Sequence, residues 1–175
     1  MPGASIQSGE RVTLRTVERE DVPFVQRSLT NPELRYPIGN PVMSRKRLEE
    51  HVEDEDSDHF LVCLDGSEAE SNQPDVTITD FDWKRPELGY WLVPEVHGQG
   101  YGTEAVSIVI DYAFRTYDTP AIGAEAFDFN DASRGLLESL GFAEEGRRRK
   151  YMFIDGEHRD MIQYGLLREE WVERE

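Results

Sequence analysis

The sequence predicts a single α+β domain, residues 1–175, with a mixed, twisted β-sheet flanked by helices. Its 175 residues suit one hydrophobic core that buries roughly 70% of the unfolded surface. Segments with strand-like alternation and segments with helical spacing follow in the order β-α-α-β-β-β-α-β-α-β-β. A helical crossover favours parallel neighbours and a tight hairpin gives antiparallel ones, so we expect both kinds of pairing.

The first half of the chain is predicted to contain three strands and two helices. The strands cover residues 11–17, 59–64 and 76–83, and the helices cover residues 18–31 and 45–55. Pro23 falls in the first turn of the first helix, where proline is tolerated, and Ser44 is a predicted N-cap of the second. We expect residues 1–9 to be flexible and residues 65–75, a Gly, Ser and acidic-rich stretch, to form a mobile loop.

The second half is predicted to alternate strands and helices and to end in a hairpin. The strands cover residues 87–93 and 121–127, the helices residues 103–117 and 130–142, and the hairpin residues 147–167. Val106, Val109 and Ile110 share one helical face, which is typical of a helix packed on a sheet. Asn130 or Asp131 is the predicted start of the last helix, and Asp155-Gly156 is the hairpin turn.

The charge balance is strongly acidic, with 36 acidic residues against 19 basic ones and a net charge of −17. Such a surface attracts cationic substrates. It also suits a cytoplasm at molar salt, where the Debye length is about 3 Å and self-repulsion is screened. We favour this second, halophilic interpretation, because the acidic residues are spread along the chain and lysines are few.

The composition argues against several partners. Residues 147–150 form one small basic cluster, which we interpret as a solvated strand, so direct nucleic-acid binding is not expected, although one arginine there could meet a ligand phosphate. The sequence has no apolar run of membrane-spanning length and no signal-peptide pattern. We therefore expect a cytoplasmic protein without a membrane partner, as a monomer or homodimer.

Cysteine and histidine usage gives no sign of metal or redox chemistry. Cys63, the single cysteine, lies in an apolar run and is predicted to be a buried structural thiol. His51 and His59 flank an acidic run that we interpret as a solvated segment. No metal cofactor is expected.

A glycine-dense run, "HGQGYG" at residues 97–102, joins a predicted strand to a predicted helix. Helix N-termini carry unpaired N–H groups, and glycines let an anion approach the backbone, so this arrangement predicts an anion-binding loop. A Walker loop would need Gly-Lys-Ser/Thr, and a dinucleotide fingerprint would need glycine where Thr103 stands. A tight turn without a ligand is the alternative.

The same run resembles the Q/R-x-x-G-x-G/A motif with which the GNAT superfamily of N-acetyltransferases holds the pyrophosphate of acetyl-CoA. Residues 130–142, "NDASRGLLESLGF", are similar to a later helix of that superfamily. Residues 144–171 are similar to the closing segment of its RimJ/RimL-like branch, and "LRTVEREDVPFV" near the N-terminus also fits. The resemblance implies a GNAT-type fold in which acetyl-CoA binds where two central parallel strands splay apart.

The resemblance also implies which residues bind the coenzyme. Backbone amides of Gly98, Gln99, Gly100, Tyr101, Gly102 and Thr103 would hold the diphosphate, and backbone groups of Leu92 and Val93 would hold pantetheine. His97 stands where the family usually has Gln or Arg, and it is either a phosphate contact or an ordinary loop residue. Asn130 and Ser133 are either coenzyme contacts or helix-capping residues.

Two glutamates are predicted as the base that the reaction needs. The resemblance places the base at Glu125 or at Glu87, with Asp128 a third choice. Glu125 is unusual because it lies inside an apolar strand, whereas Glu87 can also be an ordinary strand-end carboxylate. Ser133 is the expected contact of the coenzyme sulfur. The tyrosine acid that many relatives carry falls on Leu137, so it is missing at that position.

These features predict an acetyl-CoA-dependent N-acetyltransferase acting on a primary amine. Neutralising an α-amine at pH 7 to 8 costs about 1.4 kcal/mol or less, against roughly 4 kcal/mol for a lysine amine. A protein or peptide N-terminus is therefore the predicted acceptor, in line with the ribosomal-protein substrates of the RimJ/RimL-like branch. Small-molecule amines and a non-catalytic acyl-CoA sensor are the alternatives.

Overall fold

The computed structural model describes residues 3–54, 56–64, 75–79 and 85–173. Within these ranges the chain forms eight strands and six helices. The strands are β1 Ser5–Ser8, β2 Val12–Thr16, β3 Ser57–Leu64, β4 Asp75–Thr79, β5 Glu87–Trp91, β6 Ala121–Phe127, β7 Ala143–Ile154 and β8 Glu157–Leu167. The helices are α1 Val22–Thr30, α2 Pro32–Ile38, α3 Arg45–Val52, α4 Tyr101–Thr116, α5 Asp131–Ser139 and α6 Arg168–Val172.

The strands form one sheet in the order β1-β2-β3-β4-β5-β6-β8-β7. Neighbouring strands are antiparallel except β5 and β6, which are parallel and are connected through α4. The predicted mixed sheet is thereby confirmed. The parallel pairing covers Glu87 opposite Gly123 and Leu88 opposite Ala124. Beyond these positions the two strands separate, and this opening creates room for a site.

The core lies between the sheet and α4. Ala105, Val106, Val109 and Ile110 of this helix are fully buried, as the helical spacing of apolar residues predicts. They pack in one cluster with inward-facing residues of the sheet, such as Leu14 of β2. Burying a Val or Ile side chain contributes about 1.5–3 kcal/mol, so this face fixes where the N-terminus of α4 lies.

Local signals in the sequence fix several element ends. The Ser44 hydroxyl accepts a hydrogen bond from the Arg47 N–H at 3.4 Å, and the Asn130 side chain accepts one from the Ser133 N–H at 3.1 Å, so both are N-caps. Asp155 and Gly156 have φ of 47° and 83°. Positive φ at both central residues is typical of a two-residue hairpin turn, as predicted.

Three elements differ from the sequence prediction. β1 lies within residues 1–9, which were expected to be flexible, and pairs with β2. α2 was not predicted. It contains Pro37 in its last turn, where the loss of one backbone hydrogen bond does not prevent so short a helix. α6 follows β8 directly and was not predicted.

Three further expectations are answered only in part. Cys63 lies near the end of β3 and is half-buried, so the prediction of a buried thiol was wrong in the extent of burial. β4 begins at Asp75, while residues 65–74 of the expected loop lie outside the described residues. Residues 80–83 of the strand predicted over 76–83 lie outside them as well.

Candidate active site

A cavity of ≈ 720 Å³ opens where β5 and β6 separate. Its wall is formed by both diverging strands, α2 and the first turns of α4 and α5. It brings together nine residues that the sequence singled out: Leu92, His97, Gly98, Gly100, Gly102, Thr103, Glu125, Asn130 and Ser133. Glu87, Val93, Gln99 and Tyr101, all of them described, lie outside this wall. The elements that the sequence separates by about 40 residues thus converge on one space.

The glycine run forms a backbone loop that only glycine accommodates well at two positions. Gly98 and Gly100 have φ of +71° and +83°, in the left-handed region. Gly100 is the N-cap of α4, so the N–H groups of the next residues have no partner within the helix. A Cβ on Gly98 would meet nothing within 4 Å, so this side of the loop is open. The loop can therefore admit an anion to the positive end of the α4 dipole.

Gly102 serves a different purpose from the other two glycines. A Cβ there would come within 3.1 Å of Leu136 Cδ1 and 3.2 Å of Leu92 Cδ1. The absence of a side chain therefore lets α4 approach α5 and the end of β5 closely. This close approach keeps the N-terminus of α4 in the cavity wall.

Arg11 holds the glycine loop from outside the cavity, a role that the sequence did not reveal. Its guanidinium donates from Nη1 to the Gln99 carbonyl at 2.9 Å and from Nε to Glu104 Oε2 at 2.9 Å. The same group lies over the Tyr101 ring, 4.8 Å from the centroid. The Arg11 side chain, which directly precedes β2, therefore connects the loop to the first turn of α4.

His97 contacts the main chain of the strand that precedes it. Its Nε2 lies 2.7 Å from the Leu92 carbonyl oxygen, and because a carbonyl can only accept, Nε2 carries the proton. The Val93 carbonyl accepts from the Val96 N–H at 3.1 Å. His97 thus fixes the segment after β5, whose backbone groups were predicted to bind pantetheine.

A pair of hydroxyl groups lies in the cavity wall. The Tyr90 hydroxyl is 2.8 Å from Ser133 Oγ and donates toward the Ser133 carbonyl oxygen at 3.1 Å. Burial raises the pKa of Tyr90 to about 12, so the phenol stays protonated. Leu137, the position at which the resemblance would place a tyrosine, is fully buried in the core. Tyr90 brings a phenol to the site from β5 instead, which sequence reasoning missed.

The acidic residues take distinct places. Glu125 is the one exposed position of β6, lines the cavity and forms an ion pair with Arg148 of β7, Oε1 to Nη1 at 3.0 Å. Glu33 of α2 also lines the cavity. Glu87 sits at the opposite end of β5, with its carboxylate against Gly123. Asp128 Oδ2 faces Arg147 Nη2 at 3.7 Å.

The basic cluster and the two histidines that the sequence analysis excluded from the site do not line this cavity. Arg147 to Lys150 are exposed on β7, as expected for a solvated strand. His51 and His59 stack edge to face with centroids 4.8 Å apart. In the part of the chain that the structure describes, no group of three or more acidic, His or Cys side chains could hold a metal ion. None of the described helices is long and apolar enough to span a membrane.

Comparison with known proteins decides the family. A family model described as an acetyltransferase (GNAT) domain matches residues 11–143. The chain belongs to the GNAT family of acetyltransferases. The match begins at Arg11 and runs through the glycine loop to the end of α5, so it includes most of the cavity wall.

Several GNAT relatives are similar in sequence. The putative ribosomal N-acetyltransferase YdaF of Bacillus subtilis (strain 168) is 36% identical over 88 residues, 50% of this chain and 48% of that protein. Its match therefore spans about half of the relative. The SPbeta prophage-derived uncharacterized N-acetyltransferase YokL of the same organism is 31% identical over 173 residues, 94% of each chain. The spermidine N(1)-acetyltransferase of Escherichia coli (strain K12) is 25% identical over 170 residues, 94% of this chain and 90% of that protein.

The fold is also shared with solved GNAT structures. A spermidine N-acetyltransferase from Vibrio cholerae, solved with CoA and spermine, superposes with a TM-score of 0.84 at 23% identity. The superposition covers 94% of this chain and 99% of that one. At this identity the likeness establishes the fold.

The residues of this GNAT domain fit acetyl-CoA. The glycine loop offers N–H groups and an open face to a diphosphate, as the empty space beside Gly98 shows. The cavity continues from the loop to Tyr90, Ser133 and Glu125, so a coenzyme whose diphosphate lies on the loop can extend its arm between the strands.

Proposed function

We propose that this protein is an N-acetyltransferase that uses acetyl-CoA to acetylate a primary amine, with a protein or peptide N-terminus as the acceptor. One observation carries the proposal: the anion-binding loop and Glu125 line the same cavity. A donor held by its phosphates and an amine held by a carboxylate would then meet between β5 and β6. The similarity to YdaF, described as a putative ribosomal N-acetyltransferase, supports this acceptor class and the RimJ/RimL-like branch.

The coenzyme would be held by named parts of the chain. Amides of the loop from Gly98 to Thr103 would bind the diphosphate, and Asn130 would line the path of the pantetheine arm. A backbone N–H near Leu92 or Val93 would polarise the thioester carbonyl, while His97 keeps that segment in place. When bound, acetyl-CoA supplies the acetyl group as an activated thioester.

Proton transfer is assigned to two sides of the cavity. Glu125 would take the proton of the incoming ammonium group, and its position in the wall favours it over Glu87. Ser133, bonded to the protonated Tyr90, would face the departing sulfur. The amine attacks directly, so the chain needs no nucleophilic residue, and the half-buried Cys63 has no part in the reaction.

The energy needed to neutralise the amine favours an α-amine over a side-chain or polyamine nitrogen. With a pKa near 8, an α-amine needs about 1.4 kcal/mol or less between pH 7 and 8, whereas an amine of pKa near 10.4 needs roughly 4 kcal/mol. The wall beside α2 is largely apolar, with Pro37, Ile38 and Phe127, which suits the first side chain of a peptide.

A polyamine is the second acceptor that a specific observation supports. Two carboxylates, Glu33 and Glu125, line the cavity, and a polyamine could place one ammonium group on each. The similarity to a spermidine N(1)-acetyltransferase is consistent with this alternative.

The test is thiol release from acetyl-CoA with free-amino peptides, spermidine, amino acids and aminoglycosides, in low and in multimolar KCl. N-acetylated versions of the same peptides are the matched control, since they lack only the amine. We expect turnover of free-amino peptides, reduced by about 100-fold or more in Glu125→Gln if Glu125 is the base. Preferred turnover of spermidine would replace the peptide assignment. Acetyl-CoA binding without turnover of any amine would mean a sensor and contradict the enzymatic proposal.

A further inference from the structure

Glu125 already forms an ion pair with a side chain of the same protein, Arg148. Arg148 Nη1 lies 3.0 Å from Glu125 Oε1, reaching across β8 from the edge strand β7. Arg148 itself is outside the cavity wall, while Glu125 is part of it. An acceptor amine enters such a site as an ammonium ion, so two cations compete for one carboxylate.

A β-bulge in β7 lies directly after Arg148. The register of β7 against β8 shifts between Arg148 and Met152, which leaves extra residues on β7, and Lys150 within this bulge has φ of 50°. Asp160 of β8 holds the bulge, accepting from the Lys150 N–H at 2.7 Å and from Arg147 Nε at 2.6 Å. Bulges commonly re-aim a neighbouring side chain, and Arg148 is the residue of the Glu125 ion pair that adjoins this bulge.

The pair is weak enough to be displaced. Its side chains are 44% exposed for Arg148 and 30% exposed for Glu125, and partly exposed ion pairs contribute about 0.2–1 kcal/mol. Arg148 also has a second contact, because its guanidinium lies 5.1 Å from the centroid of the Tyr151 ring. A guanidinium released from Glu125 keeps this aromatic partner, which lowers the free energy needed to release it.

We propose that Arg148 is an internal competitor for the acceptor amine, a specificity-determining residue that occupies the ammonium position on Glu125 until an acceptor displaces it. The inference rests on the proposed function, in which Glu125 receives the acceptor. Arg148 then raises the Kd of any cation that binds through Glu125 alone. An acceptor must therefore add contacts elsewhere in the cavity. The same ion pair weakens the binding of inorganic cations and lone amines by about the two- to five-fold that a partly exposed pair contributes.

Binding to a non-reactive complex tests this directly. The protein is saturated with CoA, which carries no acetyl group, and titrated calorimetrically with an alanine tetrapeptide amide bearing a free N-terminus and, separately, with spermidine. Arg148→Gln is expected to lower the Kd about two- to five-fold, the effect of removing one partly exposed ion pair. The Kd for CoA itself stays unchanged.

The control is Arg149→Gln, which removes the same charge from the adjacent exposed position of β7. It is expected to leave the Kd within error of the wild type, and in a Glu125→Gln background Arg148→Gln should also lose its effect. Equal tightening by both arginine variants, weaker binding by Arg148→Gln, or no binding of either probe to Arg148→Gln would overturn the inference. Because these titrations need no turnover, the proposed enzymatic activity can fail in the thiol-release assay while the Kd pattern holds, and the reverse.

Discussion

At the scale of single residues, Tyr90 is the side chain whose removal most sharply tests the site. Its hydroxyl contacts Ser133 Oγ at 2.8 Å, and with a pKa of about 12 it remains a donor throughout the working range. Tyr90→Phe removes this bond and leaves the ring. Since a hydrogen bond contributes about 0.5–1.5 kcal/mol, we expect kcat to fall roughly 3- to 10-fold, with little change in the KM for acetyl-CoA. Steady-state kinetics measure both.

A double-mutant cycle separates a shared role from two independent ones. If Tyr90 acts through Ser133, then Ser133→Ala and the double variant Tyr90→Phe/Ser133→Ala have the same kcat. Effects that multiply would instead show that the two hydroxyls act separately. A loss of thermal stability in Tyr90→Phe without a change in kcat would reduce the contact to packing.

Single residues also show what a sequence can and cannot reveal about this site. The cavity wall contains the glycine loop, Asn130 and Ser133, which were singled out from local motifs, and Glu125, which was singled out as a carboxylate inside an apolar strand. Tyr90 and Arg148 were not, since their roles come from contacts with Ser133 and Glu125 that are distant along the chain. No periodicity or spacing records which side chains meet across a sheet.

At the scale of elements, the contact between the start of β2 and α4 holds the glycine loop in place. Arg11 bonds Gln99 and Glu104 at once and lies over Tyr101, a geometry that needs the planar guanidinium fork. We expect Arg11→Gln and Arg11→Lys both to raise the KM for acetyl-CoA about 3- to 10-fold, the effect of one or two lost hydrogen bonds. Acetyl-CoA titration of initial rates measures this.

The Arg11→Lys variant distinguishes the geometry of the guanidinium from its positive charge. If the side chain acted only as a positive charge near a phosphate, Arg11→Lys would behave as the wild type. A matched control is Arg19→Lys, an exposed arginine that pairs with Glu53 far from the loop. This control is expected to leave the KM unchanged.

Elements with a strong pattern were predicted correctly, and weak ones were not. The buried face of α4 was predicted because apolar residues recur at helical spacing over 16 residues. α2 has seven residues, two prolines (Pro32 and Pro37) and one buried position, Leu34, so its pattern is too short to detect. β1 is polar and exists because β2 offers it an edge. Such tertiary causes leave no local signal.

At the scale of the whole molecule, acid stability depends on a buried histidine. Burial, and next the neighbouring His51, lowers the pKa of His59 from 6.5 to about 4. The folded protein therefore binds this proton less readily than the unfolded chain. Stability is fully present above about pH 6.5 and falls by up to about 3 kcal/mol as the pH drops toward 4. Urea unfolding at several pH values measures the slope.

Substitution identifies the group responsible. His59→Gln should flatten the decline in unfolding free energy between pH 6.5 and 5, where most carboxylates are still ionised. His158→Gln, at an exposed position of the β7–β8 hairpin, should leave the decline as it is. An unchanged slope in His59→Gln would assign the acid sensitivity to other groups.

The net charge of −17 makes a separate prediction about salt for the molecule as a whole. Ion pairs such as Arg19–Glu53 and Lys46–Glu50 are exposed and contribute little, so self-repulsion among the excess carboxylates should outweigh them. Raising KCl from 0.1 M toward 1 M shortens the Debye length from about 10 Å to about 3 Å. We expect unfolding to become at least about 1 kcal/mol less favourable, which is a Tm increase of roughly 2–4 °C or more for a chain of this size.

Most of the gain should come below about 1 M, because screening is then nearly complete, whereas strengthened hydrophobic burial would continue to raise the Tm at higher salt. A Tm that is flat or falls over this range would contradict adaptation to a salt-rich cytoplasm, and the acidic surface would then be explained by attraction of cationic acceptors.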